Sequence, residues 1–243
     1  MRNILILLIF LSLPAFAASS QIIDQKTNTP IPNAKVYIPE HDYTTYTDEN
    51  GRFDLNARFD DDSIISVQKD GYRPFSLTVN DQLAARPLVI GIEKSNLQDI
   101  IIDTEMFHLG DDNFCKESAN SGEFKGRSIG PFYTKTFNIQ QNAIMKKNYL
   151  VIGSIIGIDT LMARSLNQNS ITNSYATPPE VYFNGQKIAE IRLNGDNQKI
   201  RLPNNLVRAG MNEVTIKTGH NVKQVDHIDY DDIEFMNLSV QAE

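Results

Sequence analysis

Acids crowd the stretch "HIDYDDIEFMNL", His227 to Leu238, which carries Asp229, Asp231, Asp232 and Glu234, with Asp226 just upstream. They run directly into Ile233, Phe235, Met236 and Leu238, side chains that partition into a core. A second acidic pair, Asp111 and Asp112, lies in "HLGDDNF". Carboxylates gathered beside an apolar strand repel one another, and a divalent cation relieves that repulsion. Calcium draws about six to eight oxygens from carboxylates, carbonyls and water. Asp111, Asp112, Asp229, Asp231 and Asp232 are therefore candidate ligands of a structural calcium ion. The alternative is a solvated, negatively charged sheet rim.

Other chemistries find less support. His220, Asp226, His227 and Asp229 lie close in sequence, but their spacing matches no usual zinc pattern. No G-x-S-x-G elbow, HExxH helix or phosphate loop occurs. A cryptic glycoside hydrolase built on two carboxylates stays open as an alternative, because a sequence does not show their separation. Cys115 is the single cysteine. It follows Phe114, lacks an activating motif, and is expected as a buried thiol. Sugar binding asks for an aromatic ring to stack on and amides or carboxylates for the hydroxyls. The polar stretch "RSLNQNSITNSYATPPE", residues 164–180, offers Tyr175 with Asn167, Asn169 and Asn173. Its low apolar content and its Pro178-Pro179 pair predict a loop. Tyr175 has an alternative role, pinning that loop to the scaffold. The absence of tryptophan counts against a glycan.

The elements that must hold these residues read as strands. "AKVYIP", "SIISVQ", "FSLTV" and "LVIGIE" are short, rich in β-formers and bounded by turns. Asn50-Gly51, Asp70-Gly71, Asn184-Gly185 and Asn194-Gly195 supply the positive φ of tight turns. No long amphipathic helix with caps is evident. "YLVIGSIIGID" is too short to span a bilayer and is expected as a buried strand with two close-packing glycines, Gly153 and Gly157. The pattern predicts an all-β protein of sheets packed on sheets.

Residues 1–17 read as a signal peptide: Arg2, an apolar run, then Ala15 and Ala17 at cleavage positions. The expectation is an exported chain, periplasmic or secreted, with no transmembrane segment once the leader is cleaved. A net charge of −7 argues against binding nucleic acid or anionic lipid. The remainder is expected to divide into residues 19–94, a linker over 95–106, and residues 107–243.

The first of these units resembles a known family. "QIIDQKTNTPIPNAKVYI", "TTYTDENGRFDL" and "ISVQKDGYRPFSLTV" are similar to the carboxypeptidase regulatory-like, or transthyretin-like, β-sandwich. Asp24, Thr27, Pro30, Ile31, Ala34, Val36, Thr47, Asp48, Gly51, Phe53, Gly71 and Tyr72 carry the resemblance. It implies a small Greek-key sandwich of the accessory, non-catalytic kind. Thr47 to Gly51 is expected as a polar hairpin turn, with Phe53 and Leu55 facing inward. Asp60-Asp61-Asp62 is expected as a solvated loop.

The second unit resembles galactose-binding-like jelly rolls, the fold of many carbohydrate-binding modules. "NYLVIGSIIGID", "PPEVYFNGQKIAEI" and "LPNNLVRAGMNEVTIKTG" carry that likeness, through Leu206, Gly210, Asn212, Val214 and Ile216 in the last. "DDIEFMNLSV" would be the final strand. The resemblance implies an ion where first and last strands meet, which is where both acidic groups fall. Together the two resemblances imply a non-catalytic binding protein for a glycan, gripped by loops of the second unit. A protein-interaction or envelope-assembly module, with an extracytoplasmic protein as ligand, is the alternative.

Overall fold

The computed structural model describes residues 19–243 apart from 56, 121 and 170–172. The expected signal peptide lies outside the described residues. Seven strands among the described residues build the first half: β1 (Ser20–Asp24), β2 (Lys35–Ile38), β3 (Tyr43–Tyr46), β4 (Arg52–Phe53), β5 (Ser63–Gln68), β6 (Phe75–Val79) and β7 (Val89–Ile92). They form one sheet of order β4-β1-β7 and one of order β3-β2-β5-β6. Between them lies a core built on Ile22, Val36, Ile38, Phe53, Phe59 and Ile65.

Eight further strands build the second half: β8 (Ile100–Leu109), β9 (Phe132–Ile139), β10 (Asn148–Ile156), β11 (Glu180–Phe183), β12 (Gln186–Glu190), β13 (Gly195–Arg201), β14 (Gly210–Lys217) and β15 (Ile233–Ala242). Their sheets run β13-β10-β15-β8 and β12-β11-β14-β9. Leu150, Ile152, Phe183, Val214, Phe235 and Leu238 belong to the core between them. The protein is all-β, with two short α-helices among the described residues, α1 (Asp81–Ala84) and α2 (Leu161–Ser165). No helix among the described residues is long and apolar enough to cross a membrane.

The two halves stack, so the protein is four sheets deep. Tyr37 and Ile64 of the first half meet Ile156 and Met236 of the second in a third, smaller apolar cluster. This stacking explains why the apolar residues of β15 do not alternate. All ten of its residues are buried, because the strand is covered on both faces. Ile233 and Phe235 face the second core, and Met236 faces the first half. Asn237 then takes φ 60°, and the register with β8 shifts between Met236 and Leu238. That bulge returns Leu238 and Val240 to the second core. Gly153 of β10 fits the same seam: a Cβ there would lie 2.4 Å from Ser76 Oγ.

Four details differ from the sequence reading. Residues 100–106, expected within a linker, belong to β8, because Ile100 and Ile102 pack on the second core. Thr47 to Gly51 is not a hairpin turn: β3 pairs with β2 while β4 pairs with β1, so the chain crosses between sheets. Gly51 permits the crossing, since a Cβ there would meet the Ile22 carbonyl at 2.5 Å. The polar stretch from residue 164 begins inside α2, capped by Thr160, whose hydroxyl accepts from the Ala163 amide. Cys115 is exposed, because its neighbour Phe114 takes the inward place, stacked on His108 at 6.4 Å between ring centroids.

Candidate functional site

The acids of the two separated stretches do converge. Strand β8 delivers His108 and, just beyond its end, Asp111 and Asp112; β15 and its approach deliver Asp229, Asp231 and Asp232. The two strands pair antiparallel, with Ile233 opposite Leu109 and Glu234 opposite His108. Asp229, Asp231 and Asp232 are buried, whereas Asp111 and Asp112 are exposed.

The oxygens of these acids are not equally free. Asp229 Oδ1 accepts from Asn113 Nδ2 at 2.7 Å and Ser118 Oγ at 2.9 Å. Its Oδ2 accepts from Asn221 Nδ2 at 2.7 Å and the Ala119 amide at 3.2 Å. Four donors saturate that carboxylate. Asp111 accepts from the amides of Asn113 and Tyr230 at 3.1 and 2.8 Å. Asp232 Oδ1 accepts from the Asp112 amide at 3.0 Å and lies 2.9 Å from His108 Nε2. Asp231 Oδ2 accepts from the Asp159 amide at 3.1 Å. Asp231 Oδ1 and Asp232 Oδ2 are buried and meet no donor. Those two oxygens are the ones left open to a cation, whereas Asp229 has none to spare.

His108 belongs to this group although only its neighbours stood out in the sequence. His108, Asp112 and Asp232 place ligand-type atoms within 4.8 Å of one another. Nδ1 of His108 also lies 2.6 Å from the Gly126 carbonyl. Both ring nitrogens thus face acceptors, an arrangement that suits the imidazolium. Burial opposes the charge, but Asp232, the Gly126 carbonyl and Asp112 outweigh it and raise the His108 pKa above 6.5. Burial pushes Asp231 well above the usual carboxylate range, and the charges of Asp159, Asp232 and Asp229 push it further, against the pull of the Asp159 amide. Asp159 itself is held by Arg164, with nitrogen to oxygen distances of 2.7 and 3.0 Å. His220 and His227 stand apart, against Thr177 Oγ1 and Gln224 Nε2 at 3.0 and 3.1 Å.

A cleft of about 450 Å³ opens where the two halves meet. Asp60, Asp61 and Asp62, expected as a solvated loop, line it from the first half. Gln168, Asn169 and Asn194 line it from the second, with the ring of Phe124 beside them. The Asn194 amide nitrogen donates to Gln168 Oε1 at 3.0 Å, and Asn194 Oδ1 accepts from the Ile158 amide at 2.7 Å, so this rim is braced.

The four residues expected to bind a ligand are not brought together. Asn169 lines the cleft; Tyr175, Asn173 and Asn167 do not. Asn167 is exposed beyond α2 with φ 57°. Asn173 and Tyr175 lie along the 222–223 segment: Asn173 O accepts from Lys223 Nζ, and Tyr175 O accepts from the Val222 amide at 3.0 Å.

At the inner end of the cleft two carboxyl groups meet. Glu40 comes from the 3-10 turn Pro39–His41 after β2, and Glu234 from β15. Glu234 is fully buried, and burial with the neighbouring Glu40 carboxyl pushes its pKa up to about 10. Sequence alone named Glu234 only as one acid in a crowd and passed over Glu40, whose role depends on the stacking of the halves.

No curated protein matches the chain. Among solved structures, a Bacteroides uniformis ATCC 8492 protein named "putative carbohydrate binding protein" aligns over 92% of this chain and 97% of its own, at 11% identity and a TM-score of 0.24. BcpA*(D312A), the major pilin subunit of Bacillus cereus, aligns over 93% of this chain and 67% of its own, at 12% identity and a TM-score of 0.21. At such TM-scores neither protein's ligand nor its role carries over. The first half has a more specific match: residues 19–102, from β1 into the start of β8, match the CarboxypepD_reg-like domain family.

Proposed function

We propose that this chain is an exported, non-catalytic binding protein whose ligand is a glycan, held in the cleft between its two halves. The observation that carries this reading is the lining of the cleft, where Asp60, Asp61 and Asp62 face Gln168, Asn169 and Asn194. Sugar hydroxyls both donate and accept, and a mixed wall of carboxylates and amides answers both needs. Phe124 offers an apolar face for the C–H side of a pyranose ring. The second half would then be a galactose-binding-like jelly roll with its ligand site moved toward the first half. A calcium ion on Asp231 and Asp232 would be structural, neutralising two buried acids where first and last strands meet.

Catalysis is not part of the proposal. Glu234 is wholly buried and Glu40 is its acidic neighbour, whereas the two glycosidase carboxyls flank a bond that both must reach, about 5 to 9.5 Å apart. A protein ligand is the second reading, favoured by the bare apolar side chains of Val225 and Ile228, which are 94% and 61% exposed.

Glycan-array binding of the purified chain tests the first reading. Asn169→Ala and Asp61→Ala should each weaken binding at least about tenfold, the scale of one or two lost hydrogen bonds. Tyr175→Ala should leave it unchanged. Loss on Tyr175→Ala with the cleft variants intact would move the site back to the 173–175 segment. No glycan bound by the unmodified chain would remove the reading altogether.

A further inference from the structure

We propose that Glu40 and Glu234 together hold a divalent cation of the calcium class, which clamps the two halves at the floor of the cleft.

The pair is placed by long-range packing. Strand β15 is paired on both sides, with Ile156 and His108 standing opposite Glu234 on the flanking strands. Glu234 lies on the same face of β15 as Met236, which packs on Tyr37 and Ile64 of the first half, and there the Pro39–His41 turn presents Glu40. Glu234 is 0% exposed, and neither of its carboxyl oxygens meets a donor. Glu40 Oε2 is likewise buried without a donor. Neither acid takes part in an ion pair among the described residues. The other buried acids of the second half each have at least one oxygen answered: Asp229 by four donors, Asp159 by Arg164, and one oxygen each of Asp231 and Asp232 by the Asp159 amide and His108. An interior carboxylate pair with nothing opposite it is costly, and a bound cation or a shared proton removes that cost.

Three features favour the cation. Two carboxylates match a divalent charge and offer up to four hard oxygens, the ligand type calcium takes. Glu40 also lines the cleft, so water can complete the coordination sphere and an ion has a way in. Asp60, Asp61 and Asp62 line the same cleft, and a concave surface of one sign concentrates counter-ions. This site faces the first half, on the side of β15 that carries Met236, whereas Asp232 turns to His108 and the Asp112 amide and Asp231 to the Asp159 amide within the second half.

The full chain, stripped with EDTA, is titrated with calcium chloride near neutral pH. Bound calcium is counted by equilibrium dialysis, and melting is followed by circular dichroism. Calcium at about a hundred times its dissociation constant should raise Tm by roughly 5–10 °C. Glu234→Gln and Glu40→Gln should each bind one calcium fewer than the unmodified chain and lose part of that rise, and Asp231→Asn should retain this equivalent. Glu40 is only half-buried, so Glu40→Gln serves if Glu234→Gln does not fold. The proposal is overturned if the unmodified chain binds no calcium, or if the glutamine variants bind as many equivalents as it does. It is equally overturned if they raise Tm by the same amount with and without calcium, which would mean that a shared proton fills the gap. Sugar binding is not read in this experiment, so its outcome is independent of the glycan reading.

Discussion

The hydroxyl of Tyr37 in β2 donates a 2.8 Å hydrogen bond to the backbone carbonyl of Thr104 in β8, tying the first half of the protein to the second. The same hydroxyl accepts from Gln68 Nε2 at 3.1 Å. Nearby, Asn237 Nδ2 donates to Ser66 Oγ at 3.1 Å, and Asp196 accepts from the Thr78 amide and hydroxyl at 3.0 and 2.8 Å. Apolar packing of Ile64, Ile156 and Met236 backs these bonds. An interface with both apolar and directional contacts couples the two cores.

The coupling predicts a single unfolding transition. Tyr37→Phe should cost about 1 kcal/mol, the usual worth of one hydrogen bond with its partner left wanting. Met236→Ala should cost about 2–5 kcal/mol, because Met236 is fully buried in the seam. Urea titrations followed by circular dichroism and tyrosine fluorescence measure both. Two separate transitions in the unmodified chain would show that the halves fold independently and that the seam contributes little.

Gly153 gives a sharper test of the same seam. A Cβ there would lie 2.4 Å from Ser76 Oγ and 2.7 Å from Asn237 Cβ, with the Met236 carbonyl at 3.0 Å. Strand β10 cannot move away, because β13 and β15 pair with it on either side. Gly153→Ala should therefore cost about 1–3 kcal/mol through overpacking. Ser76→Ala should be close to neutral, since the Ser76 hydroxyl is buried without a partner. The denaturation midpoints of the two variants decide this.

How much of this was legible in the sequence follows from what each residue's position depends on. Strands β2, β5, β6 and β7 fall where short β-rich runs lie between turn residues, since period and turn chemistry are local. The Asn184-Gly185 hairpin is of the same kind, with φ 49° and 79° at its two central residues. The bond from the Asp112 amide to Asp232 depends on β8 and β15 lying side by side, which no local pattern encodes. The stacking of the halves was hidden. Strand β15 read as an irregular alternation because a strand covered on both faces loses its polar side, and because the bulge at Asn237 switches parity midway. The cleft was hidden for the same reason: Asp61 and Asn169 each look like solvated loop residues until the sheets between them pack.

The buried His108 predicts a pH dependence. Its ring faces Asp232 at 2.9 Å and Asp112 at 3.8 Å, with Arg127 lying 4.0 Å from Asp112 on the far side. Its pKa is raised in the folded protein above the ordinary 6.5. A raised histidine contributes stability that is complete below the unfolded pKa and is lost as pH rises through the folded one. Tm should therefore decline as pH climbs above neutrality, and the decline should be shallower in His108→Gln, where the raised carboxyls of Glu234 and Asp231 remain to drive it, while that variant is less stable below the window. Proton-carbon NMR of the imidazole provides a direct check. A midpoint below 6.5 would contradict the ion pair with Asp232.

Asp24 predicts the opposite dependence at the acid end. One of its oxygens accepts from the amides of Lys26 and Thr27 at 3.0 and 2.9 Å, closing the turn after β1; the other accepts from the Tyr72 hydroxyl at 3.1 Å. The Thr27 amide leads the effects that hold its pKa below the usual 3.8, against the pull of burial. A depressed carboxyl contributes stability that is present above the unfolded pKa and is lost as pH falls through the folded one. Asp24→Asn should accordingly lower the melting temperature at neutral pH, and the gap to the unmodified chain should close as the pH falls through and below the usual carboxylate range. Thermal melts of both proteins across the acid range measure that convergence. A gap that stayed constant with pH would mean that the substitution costs packing or geometry rather than the charge-assisted bonds, and that the turn is held by shape alone.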